Sequence, residues 1–353
     1  MNRHFVTYFD RNYCAFGIAM LRSLLRVEPV ASATVLCLDE LTEQILRVEF
    51  GDRIARFSLA ELAIEEPRLA AASADRTPWE AYAMLTPLAL RWMLRRVAAG
   101  DRVVYVDADL GFFSDLAALW DEMGEAAIAI SPHRYSAPMR RMARYGTFNA
   151  GFVALRNTAE GLRCADDWSD ECLAWCHQQC TPDGRYMNQG YLDAWPRRYS
   201  SVVCLAHPGH NLGIWNIDSY GLSLTQGRLR IAGQPLLFFH FSGLWCGHSG
   251  HWQAWAVAPG MASPLLRASA LVPHLREINI VATRLKARHG DFGLGSVKRR
   301  IPSSRSIALP LANPEGLVLP SRTRQWWRYA IARLAALLRH RRLAKPASPT
   351  RAT

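Results

Sequence analysis

Val103, Val104, Tyr105 and Val106 form an uninterrupted apolar run rich in β-branched side chains. The chain leads into it through a long amphipathic segment, Trp79–Val97, and the turn Ala98-Ala99-Gly100-Asp101. A run that is polar on neither side reads as a strand buried on both faces, which requires helices above and below it. The flanking sequence repeats this alternation. His4–Phe9 predicts a strand and Ala15–Leu25 a helix; Thr34–Leu38 predicts a second strand ending at Asp39, and Phe57–Leu59 a third. Ser114 is placed to N-cap a helix over Asp115–Met123 that Gly124 stops, and Ala126–Ile130 is strand-like again. The rhythm predicts an α/β fold, a mainly parallel sheet with helices on both faces.

In such sheets ligands sit beyond the carboxyl ends of the strands. The Val103–Val106 strand ends there in Asp107-Ala108-Asp109. Carboxylates are rarely buried without something to offset their desolvation. An irregular strand end lets Asp-Ala-Asp aim both carboxylates at one hard divalent cation, Mg²⁺ or Mn²⁺, which fills its remaining sites with phosphate oxygens and water. A second reading is a phosphoaspartyl-forming hydrolase of the haloacid dehalogenase type. Its Asp-x-Asp usually sits on the first strand with Thr or Val soon after, whereas here 106 residues precede it and Leu110 and Gly111 follow. The third is a hydrated, capped strand end.

The formal charge of +12 suggests a nucleic-acid partner until it is located along the chain. From Arg284 onward 16 Lys and Arg face only Asp291 and Glu315, leaving the first 283 residues with 26 basic and 28 acidic side chains. The body is therefore nearly neutral, and no nucleic-acid cleft is expected in it. Eight cysteines in 353 residues are no disulfide framework. Met1–Asp10 lacks the apolar region of a signal peptide, and no apolar run is long enough to span a bilayer, so reduced thiols in the cytoplasm are expected. Composition and pattern divide the chain into an α/β unit over 1–258, an irregular linker rich in Gly, Ser and Pro over 259–320, a basic amphipathic helix over 321–345, and a disordered tail over 346–353. At about 100° per residue Trp326, Trp327, Ala330, Ile331, Leu334, Leu337 and Leu338 share one arc, with Arg324, Arg328, Arg339 and Arg342 beside it. This is the pattern of a helix lying on an anionic membrane surface, with packing against protein as the alternative.

The segment VVYVDADLGFFSDLAALW resembles the Asp-x-Asp region of GT-A glycosyltransferases, in particular family 8-like, glycogenin-type enzymes and a related bacterial group of nucleotide-diphospho-sugar transferases. Four more segments carry the resemblance in the same order over roughly residues 3–250: FVTYFDRNYCAFGIAMLRSL, FNAGFVALRN, NQGYLDAWP and HFSGLW. It implies a Rossmann-like GT-A fold and metal-dependent transfer from a nucleotide sugar, most simply a UDP-sugar, with the anomeric configuration retained. The acceptor would be a glycan, a lipid-linked molecule or a protein, and surface-glycan assembly is the implied setting. The resemblance assigns Asp107, Asp109 and His240 to Mn²⁺ or Mg²⁺; it places Thr7, Tyr13, Asp39, Asp107, Asn149, Gly151, Trp215 and Gly243 around the donor, and Gln189, Asn188 and Asp193 at the reacting centre. Asn188 stands where such enzymes usually carry an acid. A binding protein that has lost catalysis is the alternative this departure suggests.

Some features keep two readings. MLTP, Met84–Pro87, stands where glycogenin-like enzymes place basic residues, and Arg91 or Arg95 are either substitutes for them or solvated helix-surface cations. Cys172, Cys176 and Cys180, with His177 nearby, fall at i, i+4 and i+8 of an apparent helix, as a buried stripe or a zinc site. His207–Asn216 is a Gly-rich loop with two histidines and a Trp that lines a site, in preference to holding a second metal, or is a plain turn.

Overall fold

The structure, a computed structural model, describes residues 1–246, 252–255, 258–290 and 306–309, and the apolar run lies at the middle of its main sheet. The strands are β1 (Arg3–Phe9), β2 (Ser32–Cys37), β3 (Ala55–Ser58), β4 (Arg102–Val106), β5 (Leu110–Phe112), β6 (Ile128–Pro132), β7 (Phe148–Arg156) and β8 (Val202–Cys204). All but β5 join one seven-stranded sheet in the order β3-β2-β1-β4-β7-β6-β8. It is parallel except where β7 runs against β4 and β6. The expected mixed, mainly parallel α/β architecture is what the chain forms.

The helices are α1 (Cys14–Val27), α2 (Glu40–Phe50), α3 (Leu59–Glu65), α4 (Arg68–Ser73), α5 (Pro78–Leu94), α6 (Ala117–Met123) and α7 (Ala159–Ala174). They divide between two cores, as strand alternation demands. Val104 and Val106 point into the core with α1 and α6, while Val103 and Tyr105 point into the one with α5 and α7. Helix α5 starts with a capping box, Thr77 with Glu80, and Pro at its first turn. Helix α6 differs from expectation: it begins at Ala117 and Leu116 precedes it without a side-chain cap, so Ser114 caps nothing.

Beyond β8 the chain adds β9 (Leu222–Thr225), β10 (Arg228–Ile231) and β11 (Gln234–Pro235), then β12 (Phe238–His240). The strand β12 pairs antiparallel with β5, with Phe238 opposite Phe112 and His240 opposite Leu110. The segment from Pro259, irregular by composition, contains a helix over Val272–His289. Its Leu275, Ile278, Val281 and Leu285 are buried in the core that holds α1, because a 3.6-residue apolar spacing survives among the Gly and Pro. Backbone pairing also joins 244–246, 252–255 and 306–309 as a three-stranded antiparallel sheet. The expected helix at Arg322–Arg342 and tail at 346–353 lie outside the described residues. Among the described residues no helix is long and apolar enough to cross a membrane.

Candidate active site

Strand β4 stops at Val106, and the Asp107 amide donates to the Gly151 carbonyl of β7 at 2.9 Å. Ala108 and Asp109 then form a turn, and β5 leaves it to pair antiparallel with β12. That pairing puts His240 at the level of the turn, locked by the Phe241 amide on the Asp109 carbonyl at 2.9 Å. One ligand atom from each of Asp107, Asp109 and His240 lies within 4.8 Å of the other two. His240 Nε2 is 3.0 Å from Asp109 Oδ1 and 3.5 Å from Asp107 Oδ2. Trp215 stands edge-on to the imidazole, with centroids 5.1 Å apart, and the Tyr105 hydroxyl donates to Asp107 Oδ1 at 2.7 Å. Gly151 closes the back. A Cβ there would fall 2.5 Å from Asp107 Oδ2 and 2.6 Å from His240 Cε1, so the cluster needs a residue without a side chain at that point.

Burial raises the pKa of Asp107, outweighing the attraction of His240, and the Asp109 charge raises it further. Burial alone would lower that of His240, but Asp109 and then Asp107 overcome it and hold it above its ordinary value. Two carboxylates that repel each other, with one imidazole between them, suit a divalent cation. His240 Nδ1 is buried without a hydrogen-bond partner, so nothing else in the described chain fixes which nitrogen faces the carboxylates.

The cluster opens onto two adjoining hollows of about 670 and 350 Å³. Tyr13, Asp109, Asn149, Asn188 and Gln189 line both, Trp215 and Gly243 the larger, and Asp107 and Gly151 the smaller. These expected residues are brought together. Gln189 holds its place by donating to the Tyr145 carbonyl at 2.7 Å, and the Asn188 carbonyl accepts from Trp168 at 2.9 Å. Three others lie elsewhere. Thr7 is buried within β1. Asp39 caps α2 through the Thr42 amide and also accepts from the Arg11 amide, both at 2.8 Å. Asp193 accepts from the Thr147 amide at 2.9 and 3.0 Å and does not line the hollows.

Arg91 is neither a substitute cation at the site nor a solvated one. It is buried and donates to Glu66 at 2.6 Å, while Arg95 pairs with Asp166. Helix α7 ends at Ala174, so the expected cysteine stripe is broken: Cys172 and Cys176 are buried and Cys180 is exposed at the larger hollow. His207–Asn216 reaches the site through Ile214 and Trp215. Sequence reasoning missed His133, which stacks on Tyr135 and lies 3.1 Å from Asn149 Nδ2. Burial drives its pKa down to about 3, so the ring is neutral. The available signal was its position just past a strand end, Pro132, on the same sheet edge as Asp107. Asp10 was missed too; it accepts from the Tyr82 hydroxyl at 3.1 Å and caps the turn that carries Tyr13.

The chain matches no protein-family model. It is 30% identical over 242 residues to the uncharacterized protein YfnD of Bacillus subtilis, covering 68% of this chain and 77% of YfnD. It is 26% identical over 253 residues to YfnF of the same organism, covering 69% and 82%. Among solved structures it is similar to the galactosyltransferase LgtC in complex with donor and acceptor sugar analogs, at 17% identity and a TM-score of 0.46 over 78% of this chain and 95% of that one. A second similar structure is the glycosyltransferase GlyE of Streptococcus pneumoniae, at 15% identity and a TM-score of 0.45 over 83% and 65%. At these TM-scores the fold reading rests on the sheet order itself.

Proposed function

The chain belongs to the same family as YfnD of Bacillus subtilis, and we propose that it is a metal-dependent glycosyltransferase of the GT-A type. In this reading it transfers a sugar from a nucleotide-diphosphate donor, a UDP-sugar first among them, to a glycan, lipid-linked or protein acceptor. The observation that carries the reading is the Asp107, Asp109 and His240 cluster at the mouth of a hollow large enough for a ligand of that class. These three residues would hold Mn²⁺ or Mg²⁺, which supplies Lewis-acid neutralisation of the diphosphate as it leaves. Tyr13 offers a ring face to the base, as aromatic side chains do for nucleobases. Asn149 and Gln189 offer amides to sugar hydroxyls. Besides Asp107 and Asp109, Asp10 is the carboxylate that lines the hollows among the described residues, and its oxygens are taken by Asn12, Tyr13 and Tyr82. The reading therefore assigns Asn188 and Gln189 to orientation and gives no residue the part of a nucleophile.

The test is incubation with UDP-glucose, UDP-galactose and UDP-N-acetylglucosamine and Mn²⁺, following UDP release. Release that EDTA stops supports the proposal. Tight binding of a donor with no turnover marks a binding protein that has lost catalysis, the role Asn188 raised. Phosphate release from sugar phosphates, with no response to nucleotide sugars, marks a phosphatase.

A further inference from the structure

We infer that a hydrogen-bond relay running from Asp193 through Thr147, His133 and Asn149 to the Gly151 amide fixes the Asn149 carboxamide in one orientation, which makes His133 and Asp193 positioning residues for a ligand hydroxyl. A carboxamide has nearly the same shape either way round, so only its partners decide which end is oxygen. Here both ends are decided. Asn149 Oδ1 accepts from the Gly151 amide at 2.9 Å, a group that can only donate. Its Nδ2 lies 3.1 Å from His133 Nε2, which must then be unprotonated. At the other side of the ring Nδ1 is 3.3 Å from the Thr147 carbonyl, a group that can only accept, so the ring proton belongs on Nδ1. The two ends require the same tautomer.

The supports are rigid. His133 and Asn149 are 4% and 7% exposed. The imidazole stacks on Tyr135, with centroids 4.6 Å apart and planes 12° apart, and stands perpendicular to Trp215 with centroids 5.3 Å apart, so the two rings hold its plane. Asp193 holds the start of β7 by accepting from the Thr147 amide at 2.9 and 3.0 Å, the Thr147 hydroxyl at 3.1 Å and the Phe148 amide at 3.3 Å. This gives Asp193 a role although it does not line the hollows. What remains of Asn149 at the hollow is one N–H and one oxygen lone pair. A hydroxyl both donates and accepts and so uses both, whereas a carboxylate uses only the first and an ammonium only the second. The relay ends at Gly151, beside Asp107, which sets the recognised hydroxyl next to the cation cluster. That the hydroxyl belongs to a sugar rests on the glycosyltransferase reading.

Long-range ¹H–¹⁵N correlation of His133 in the wild-type protein tests the relay without any sugar. The expected result is a proton on Nδ1, a bare Nε2, and a shifted Nε2 resonance in Asn149→Ala; a proton on Nε2, or no shift, overturns the inference. The ligand arm uses His133→Phe, which keeps the ring and removes the acceptor. With Mn²⁺ present it should weaken UDP-glucose, UDP-galactose and UDP-N-acetylglucosamine by about five-fold relative to UDP alone, the worth of one neutral hydrogen bond. It should add nothing in an Asn149→Ala background. Equal weakening of UDP and the UDP-sugars, or a loss that adds fully to that of Asn149→Ala, gives His133 a merely structural role. If no UDP-sugar binds while the tautomer and the shift are as stated, the relay stands and the glycosyltransferase reading falls.

Discussion

Glu66 is a buried carboxylate and Asp107 a partly exposed one at the rim of a hollow, and their surroundings are opposite. Glu66, between α3 and α4, is 3% exposed and accepts from Arg68 at 2.6 and 2.7 Å and from buried Arg91 at 2.6 Å. Hydrogen bonds from Arg68 first, and then Arg91, overcome its burial and bring its pKa down to about 2. Asp107 faces a second acid and a histidine, and its pKa is raised. Among the described residues no Arg or Lys side chain is paired with Asp107 or Asp109, although guanidinium groups are spent freely elsewhere in the same core. A buried acid neutralised from within the chain serves the fold. Two acids brought together without such a partner are, in the function proposed above, the holders of a cation from outside.

The contrast breaks most sharply at Arg91. Arg91→Met should cost about 3 kcal/mol in urea unfolding, the low end for a broken buried pair, because Glu66 loses its buried partner but keeps both hydrogen bonds from the exposed Arg68. Adding Glu66→Gln should recover most of the loss. Since the folded pKa of Glu66 lies below its ordinary 4.5, its contribution is whole above that pH and disappears as pH falls toward 2. The wild type should therefore lose stability across that window more steeply than the double variant. Equal acid profiles would show that Glu66 is not the structural acid described.

At the pair of acids, Asp107 and Asp109, the effect should fall on activity. Asp109→Asn keeps the shape and removes a ligand, so Mn²⁺-dependent turnover should drop at least ~100-fold, about 2.7 kcal/mol, with unfolding unchanged or slightly improved. Full turnover in that variant would put the two acids in the same class. A smaller effect sharpens the contrast further. Tyr105→Phe removes the hydroxyl that orients Asp107 and should weaken Mn²⁺ binding ~10-fold, the lower end for an outer partner of a ligand. A Tyr105→Phe protein that binds Mn²⁺ as tightly as wild type would show that the cluster needs no such orientation.

Much of this was legible before any coordinates. The β-branched run of β4 and the alternation around it dictate a sheet covered on both faces, and the Asp pair marks its carboxyl edge. The convergence of His240 on that pair was legible only through the family resemblance, because it depends on the antiparallel pairing of β5 with β12, more than 120 residues apart, which no local period encodes. Arg91 was misread for a related reason. Its partner Glu66 sits in the short irregular stretch between two helices, and nothing in the helix pattern of α5 separates a cation facing an acid from one facing water. His133 carries no motif at all. Its importance comes from a ring stack on Tyr135, two residues on, and from hydrogen bonds to Thr147 and Asn149 at the neighbouring strand β7.

Calorimetric titration of UDP into the wild-type protein and Asp109→Asn, each in Mn²⁺ and in EDTA, decides whether the acid pair is a cation site that serves a nucleotide. The expected result is UDP binding to the wild type that depends on Mn²⁺, with no such dependence left in Asp109→Asn. UDP binding of equal strength in Mn²⁺ and EDTA, or a dependence on Mn²⁺ that survives in Asp109→Asn, would contradict it.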